Sequence, residues 1–500
     1  MSYGALGSFS LPLTFAAGAL GVLLLPWFVR LPRLALAFLL FSLIIGQSLR
    51  LPLPGQGGGI LTSDVAVILV IISALLQALL DKNRSLKHNL QSTNSKEKKH
   101  KHPGYLCFLL CAFLLFVLWS LLTLVIHAPE LGLPNTAIAF AYWVRLASYL
   151  FLLPALLILF QDAIVVVTTR RLLLLATVIL VLLGFLQLWL VPDFTVLTKL
   201  GWDPHQSRLT STWLDPNFFG AFLAIMLPFV IASLASALSR HVLVRSFSAA
   251  PAAASEGRDL FAPACAGDQA EKVSQSAHRT YRAALTLSTL VVTIIVALLL
   301  TQSRSAFIAL TLSILISSPL IIAGTLRRAS PPRIIAAISS LLLALILIIG
   351  AAVLLHDRLT ELITLDATAK LRLAALKGVW PLVQQHAWLG VGYNAYQFAA
   401  AGSGLISNFT IHSRAGADNS LITLWATTGL IGVALFFAPW ALVSQALFRR
   451  WLSNNNPYAL AALVSFVTLL IHSQFVNSLL YSHLLITLIV ITALAFTFGF

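Results

Sequence analysis

Residues 370–432 read KLRLAALKGVWPLVQQHAWLGVGYNAYQFAAAGSGLISNFTIHSRAGADNSLITLWATTGLIG. In this one long polar segment between hydrophobic spans, aromatic, glycine and charged residues occur together, and the rest of the chain forms its membrane housing. From Ala369 to Gln385, Leu371, Leu373, Leu376, Val379, Trp380 and Val383 recur near the helical period with Arg372 and Lys377 between them. That spacing predicts an amphipathic helix at a membrane surface, with Pro381 as a kink point. Gly390 and Gly392 end it. The aromatic residues from Tyr393 to Phe398 suit the headgroup level, where rings with one polar end are favoured. Gly402, Ser403 and Gly404 form a turn before the chain returns through Asp418 into the next span.

Outside this segment the sequence is membrane-like. Of its 500 residues, 59% are hydrophobic and 10% charged, with a mean hydropathy of +0.92. A soluble domain carries about 25% charged residues, so this composition excludes one. Apolar runs of roughly 17 to 25 residues recur, each long enough to cross a hydrocarbon core of about 30 Å. Spans are expected at 11–29, 34–49, 60–80, 105–126, 136–160, 172–191, 216–237, 284–301, 305–326, 334–355, 419–446, 457–476 and 480–499. The first lacks the basic start and cleavage site of a signal peptide. The expected fold is all-α: a polytopic membrane helix bundle of about 12 or 13 spans, with a large, partly helical external loop before the last three. Three regions follow: N-terminal helices over 1–191, a core over 192–446 that includes the external loop 356–419, and C-terminal helices over 447–500.

The net charge of +16 lies in loops between spans rather than on one face, so nucleic acid is not an expected partner. Loops rich in Lys and Arg stay inside, which places Asp81 to Gly104, Arg170-Arg171, the basic residues from Arg327 to Arg333 and Arg449-Arg450 there. The same path puts His127 to Asn135, Pro192 to Asp215, Thr301 to Ser305 and His356 to Asp418 outside. Arg240 to Arg282 reads as a mobile connector of low complexity. Cys107 and Cys111, one turn apart in a span, read as buried apolar residues. Cys265 is alone in a polar loop, so no disulfide framework is indicated. No His or Glu cluster has metal-ligand spacing, so neither a metal nor another cofactor is expected.

Four stretches carry a resemblance. Asp418-Asn419 is followed, after nine residues, by Gly429-Leu430-Ile431-Gly432. Arg372 precedes Trp380, His386 and Gly390-Val391-Gly392. SRLTSTWLDPNFFG, from Ser207 to Gly220, holds Arg208 and Asp215-Pro216-Asn217, and TQSRSAF holds Arg304. In order and spacing, these resemble signatures of the O-antigen ligase and O-antigen polymerase family, GT-C-like bacterial membrane glycosyltransferases. The resemblance runs from Arg208 to Gly432, while the N-terminal third is similar only in hydropathy. Asp418 stands where the ligases usually have His, and Ala387 replaces a usual Pro.

The resemblance implies a multi-pass inner-membrane enzyme with its active site on the external, periplasmic face. The implied donor is an undecaprenyl-diphosphate-linked glycan, the acceptor a glycan or lipid, and the displacement at the anomeric carbon inverting and metal-independent. Membrane lipids and polysaccharide export machinery are the implied partners. Because Asp418 replaces His, polymerase is favoured over ligase. A lipid-linked oligosaccharide flippase is the alternative from another class, and the concentration of charge on one face rather than at the midplane speaks against it.

Four residues are expected to carry the chemistry. Arg208, Arg304 and Arg372 lie outside against the topology rule, and a guanidinium matches diphosphate oxygens with a rigid fork of donors. They would stabilise the leaving diphosphate; the alternative is anchoring to anionic headgroups. Asp418 serves either as the base that takes the acceptor proton or as a helix N-cap. Arg145, about 14 Å into a span, is a candidate for lining the donor's access groove. His386, His412, Asn419 and Tyr393 complete the expected substrate-binding set. His386 is expected to pack beside Trp388, and His412 is a candidate substitute for the family His. His472, Gln474, Asn477, Tyr481, Ser482 and His483 cluster at the turn between the last two spans, as a possible roof over the acceptor.

Overall fold

The computed structural model describes residues 26–27, 30–52, 59–91, 103–195, 204–248, 264–327, 367–402 and 416–497. The expected spans 11–29 and 334–355 lie essentially outside these residues, as do His412 and the loop segments 356–366 and 403–415. The structure is an all-α polytopic membrane bundle. Among the described residues, seven helices are long and apolar enough to cross a membrane, and four shorter ones are apolar. These eleven coincide with the eleven remaining expected spans.

In chain order the helices are α1 (Pro32–Ile45), α2 (Thr62–Gln91), α3 (Pro103–Leu131), α4 (Leu133–Leu159), α5 (Ala163–Leu190), α6 (Pro216–Ser248), α7 (Ala264–Thr301), α8 (Arg304–Arg327), α9 (Ala367–Gln385), α10 (Tyr396–Gly402), α11 (Ser420–Asn454), α12 (Pro457–His472) and α13 (Ser482–Thr497). Helix α9 matches the expected amphipathic segment. Two features depart from expectation. A small antiparallel hairpin pairs β1 (Arg50–Pro52) with β2 (Gly59–Leu61), and the expected mobile connector is helical at both ends. Helix α6 runs on to Ser248, and α7 begins at Ala264. AGDQAEKVSQSAHRTYRAAL is polar but has no Pro and one Gly, so helix propensity carries it past the apolar limit of the span.

The chain divides into two compact units. The first comprises Met1–Ala176, His386–Gly402 and Leu424–Pro439; the second comprises Thr177–Gln385, Ser403–Thr423 and Trp440–Phe500. In the first unit, α2 packs on α1 and α4, and α3 packs on α4. Cys107 and Cys111 are exposed on α3, which corrects the expectation that they are buried. In a membrane helix the face turned away from the protein meets hydrocarbon, where an apolar thiol is also at ease.

A break in α11 organises the rest of that unit. Gly429 has φ 68° and ψ 177° inside the helix. The carbonyls and amides this releases must find partners, because hydrocarbon offers none. The 387–391 turn supplies them. Leu430 N and Trp425 Nε1 both donate to Ala387 O at 2.9 Å, and Val391 N donates to Ala426 O at 2.9 Å. Trp119 Nε1 on α3 donates to Thr428 O at 2.9 Å. The approach is so close that a Cβ on Gly429 would lie 1.9 Å from Trp388 O, and one on Gly390 2.4 Å from the Thr427 carbonyl carbon. Both residues have positive φ, which glycine adopts without penalty. The two glycine runs that stand out in the sequence are therefore the two sides of one interlock.

In the second unit, α6 lies at the centre and touches α7, α8, α12 and α13. From Phe219 to Val230 it is buried all round apart from Pro228, and α13 is buried from Ser482 to Phe496. A helix apolar on every face belongs in a core. With no water to expel, association rests on close packing, to which the aromatic cluster of Trp213, Phe219, Phe222, Tyr481 and His483 contributes.

Candidate active site

The second unit gathers four segments that are distant in sequence. The first leads into α6. Residues 204–215 are held by Gln187 Oε1, which accepts from Thr210 N at 2.9 Å and from its hydroxyl at 3.1 Å, and Ser211 Oγ donates to Leu180 O at 2.7 Å. The Asp215-Pro216-Asn217 run then divides its work. Asp215 Oδ1 accepts from Asn217 N at 2.6 Å and caps the helix, and Pro216 takes the first helical position, where its missing N–H costs nothing. Asn217 turns its amide oxygen to Arg208 NH2 (3.4 Å) and Ser303 Oγ (3.2 Å).

The second segment is the tight turn 301–305. Arg208 Nε donates to Thr301 O at 2.9 Å, and its NH2 to Gln302 O at 3.3 Å. Ser303 Oγ accepts from Ala306 N at 3.4 Å and caps α8. Arg304 is therefore the first residue of a helix whose free amides and positive dipole end already favour an anion. A cation at that position opposes the dipole and becomes favourable when an anion lies between them.

The third segment, 416–423, and the fourth, 472–479, are stitched together. Ser420 N donates to Ser473 O at 2.8 Å, and Leu479 N donates to Ser420 Oγ at 3.2 Å. Asn419 Nδ2 reaches Gln474 O and Oε1 at 3.2 and 3.3 Å, and Thr423 Oγ1 donates to Asn477 Oδ1 at 3.1 Å. The cap of α11 is Asn419, whose Oδ1 accepts from Ile422 N at 3.0 Å. The capping role considered for Asp418 is corrected accordingly. Asp418 instead sits one residue before the cap, half-buried, with φ 50°.

His472 links the fourth segment to the second. The ring is fully buried, with Nε2 at 3.0 Å from Ser305 Oγ and Nδ1 at 2.9 Å from Ser478 Oγ. Arg372, half-buried on α9, lies within electrostatic reach of the same ring. Five of the seven non-glycine residues with positive φ among those described are at these segments: Ser207, Ser211, Leu214, Gln302 and Asp418. Such conformations cost on the order of 1 kcal/mol or more each and concentrate at functional sites. Arg208, Arg304, Arg372, Asp418 and Asn419 thus all belong to one unit, and the first two share one turn. His472, expected only in a roof over the acceptor, and Asn217, read only as the end of the Asp215-Pro216-Asn217 run, belong to its framework with Ser303 and Ser305, which the sequence reading did not single out. The available signals were the serines on either side of Arg304 and a histidine ending the apolar run Leu469-Leu470-Ile471.

The first unit holds Arg145, His386 and Tyr393. Arg145 on α4 forms a two-pronged ion pair with Asp64 on α2, Nε to Oδ1 at 2.8 Å and NH2 to Oδ2 at 2.7 Å. It also donates to Gly59 O, lies over the Tyr142 ring with 4.8 Å to its centroid, and shares Asp64 with the Tyr149 hydroxyl. Sequence reasoning missed Asp64, although a mid-span Arg requires an acid and the chain has only 16 acidic residues. Tyr393 is buried nearby; burial pushes its phenol up from the usual range and Arg145 opposes that, so the phenol stays protonated. His386 meets the ring of His127, with centroids 5.8 Å apart, while Trp388 is exposed, which corrects the expected pairing. Partial burial, and then His127, pull the His386 ring below the ordinary histidine range.

Comparison with protein families gives one result. The O-antigen ligase family model matches residues 289–437, a segment that includes Arg304, Arg372, His386, Tyr393, Asp418 and Asn419. A comparison with curated proteins finds no match. The matched domain indicates glycan transfer at a membrane, with lipid-linked glycans as the substrate class. With Arg304 opening α8 inside that segment and both sides of the glycine interlock near its end, the chain is a multi-pass membrane protein whose residues 289–437 match the O-antigen ligase family.

Proposed function

We propose that the protein is an inverting glycosyltransferase that extends or transfers glycan from an undecaprenyl-diphosphate-linked donor on the external face of the inner membrane. One observation carries the proposal: Arg208 bonds the backbone of the strained turn that leads directly into Arg304, the residue at the anion-favouring start of α8. In the proposed step the acceptor hydroxyl oxygen attacks the anomeric carbon, and Asp418 takes the hydroxyl proton. The bond from the anomeric carbon to the diphosphate oxygen breaks, and the undecaprenyl diphosphate leaves with the electron pair. Arg208, Arg304 and Arg372 stabilise the charge that develops there, as preorganised donors do. Asn419 holds the Asp418 loop through its cap. Arg145, closed by Asp64, is assigned to holding the first unit together, with Tyr393 beside it.

Polymerisation is favoured over ligation because a carboxylate stands in place of the ligase histidine. Purified wild type and Asp418→Asn are incubated with a synthetic lipid-linked repeat unit. A ladder of lengthening lipid-linked chains from the wild type, with donor binding but no turnover in Asp418→Asn, is the expected result. Transfer only to a separate lipid or protein acceptor would sink polymerisation, and normal turnover in the variant would remove Asp418 from the step.

A further inference from the structure

Ser303 and Ser305 flank Arg304, and each is held from a different side. Ser303 Oγ reaches Asn217 Oδ1 at 3.2 Å, Ser305 Oγ reaches His472 Nε2 at 3.0 Å, and the two hydroxyls are 3.2 Å apart. The hydrogens in this chain have one consistent order. Asn217 Oδ1 only accepts, and it already receives Arg208 NH2, so Ser303 gives it its hydroxyl hydrogen. Ser305 then donates to Ser303. Its oxygen is left to accept from His472 Nε2–H, and Nδ1 accepts from Ser478 at 2.9 Å. The buried imidazole thus fixes one end of a directed polar chain that ends at Arg208 and passes through both neighbours of Arg304.

We propose that His472 is a positioning residue for the site described above, aiming the Arg304 guanidinium at the donor's diphosphate through Ser305. The inference rests on the functional reading and adds a residue that lies outside the matched family segment. The histidine does not touch the substrate. It removes a degree of freedom from the turn at which a displacement of about 1 Å can cost on the order of 100-fold in rate.

The test uses detergent-purified full-length protein and a synthetic undecaprenyl-diphosphate-linked disaccharide, with kcat and KM measured separately. His472→Leu is expected to lower kcat by about 10- to 100-fold, the range seen when the partner that orients a functional group is lost. Ser305→Ala, which deletes only a hydroxyl, is expected to lower it in the same sense and supports the test if the leucine variant does not fold. His472→Gln, which keeps one donor and one acceptor, is expected to recover most of the loss. The double variant of His472→Leu and Ser305→Ala should be no worse than His472→Leu alone, because both act through one contact. Unchanged kcat in Ser305→Ala, or losses that add in the double variant, overturns the positioning role. Arg304→Ala separates the two levels. If it turns over donor normally, the functional reading itself fails; if it is inactive while Ser305→Ala and His472→Gln are normal, only the role of His472 fails.

Discussion

The two units treat their arginines in opposite ways. In the first, the Arg145 guanidinium meets an Asp64 carboxylate in a bidentate pair, with a tyrosine ring beside it and a backbone carbonyl on the remaining side. In the second, Arg208 is held by the carbonyls of Thr301 and Gln302 and by the Asn217 amide. A carboxylate cancels a positive charge, whereas carbonyl and amide dipoles aim it. A charge inside a membrane has to be neutralised or put to use. Under the proposed function Arg145, paired with Asp64, is assigned a structural role and the arginines of the second unit are assigned to the donor diphosphate.

The sharpest way to break that contrast is to remove the working charges. Arg304→Ala is expected to lower glycan transfer by about 100-fold or more, as loss of one charge-stabilising donor does, with little change in melting temperature. A stable but fully active variant would end the distinction. Asp64→Ala should show the reverse pattern. It leaves Arg145 buried without its acid, which costs about 3 to 5 kcal/mol, read as a large fall in thermal stability; replacing Arg145 with Met in the same chain should restore much of it. Next in size is Gly429→Ala. A methyl group 1.9 Å from Trp388 O at positive φ should cost on the order of 3 kcal/mol, with raised hydrogen exchange at Leu430 and Val391.

Asn419→Ala removes a helix cap and should cost about 1 kcal/mol, with a further fall in turnover if the cap holds Asp418 in place. The smallest effect is pH-dependent. Since partial burial and His127 lower the His386 pKa, the folded state binds fewer protons than the unfolded chain. Stability is complete above the unfolded value of about 6.5 and declines as pH falls through it. Corrected for the intrinsic exchange rate, amide protection in the 387–391 turn should fall modestly between about pH 7 and 5, and His386→Phe should abolish the fall.

The span pattern was legible because hydrocarbon imposes one simple rule: an apolar run of sufficient length becomes a helix. Where another rule applied, sequence reasoning fell short. The 264–282 segment is polar, so hydropathy passed over a helix that propensity builds. The glycine runs at 390–392 and 429–432 stood out, but their mutual contact is a tertiary fact that local spacing does not contain. The same holds for Arg145 and Asp64, 81 positions apart. Within the proposed site, the arginines were singled out because the topology reading puts them outside, against the usual bias of basic residues. The contacts made by the neutral groups were not, since Ser303, Ser305, Asn217 and His472 carry no such anomaly and their partners are distant in sequence. The cap went to Asn419 rather than Asp418 because the cap needs extended backbone, and Asn419 has φ −144° and ψ 115° where Asp418 is left-handed.

The most direct measurement is turnover of a synthetic undecaprenyl-diphosphate-linked glycan, presented on the outer face, by wild type, Arg208→Ala, Arg304→Ala and Arg372→Ala. The account predicts that each variant folds, as judged by melting temperature, and loses product together with affinity for the diphosphate. Undiminished transfer in all three would contradict it, because the unit whose arginines are aimed would then have no anion to meet.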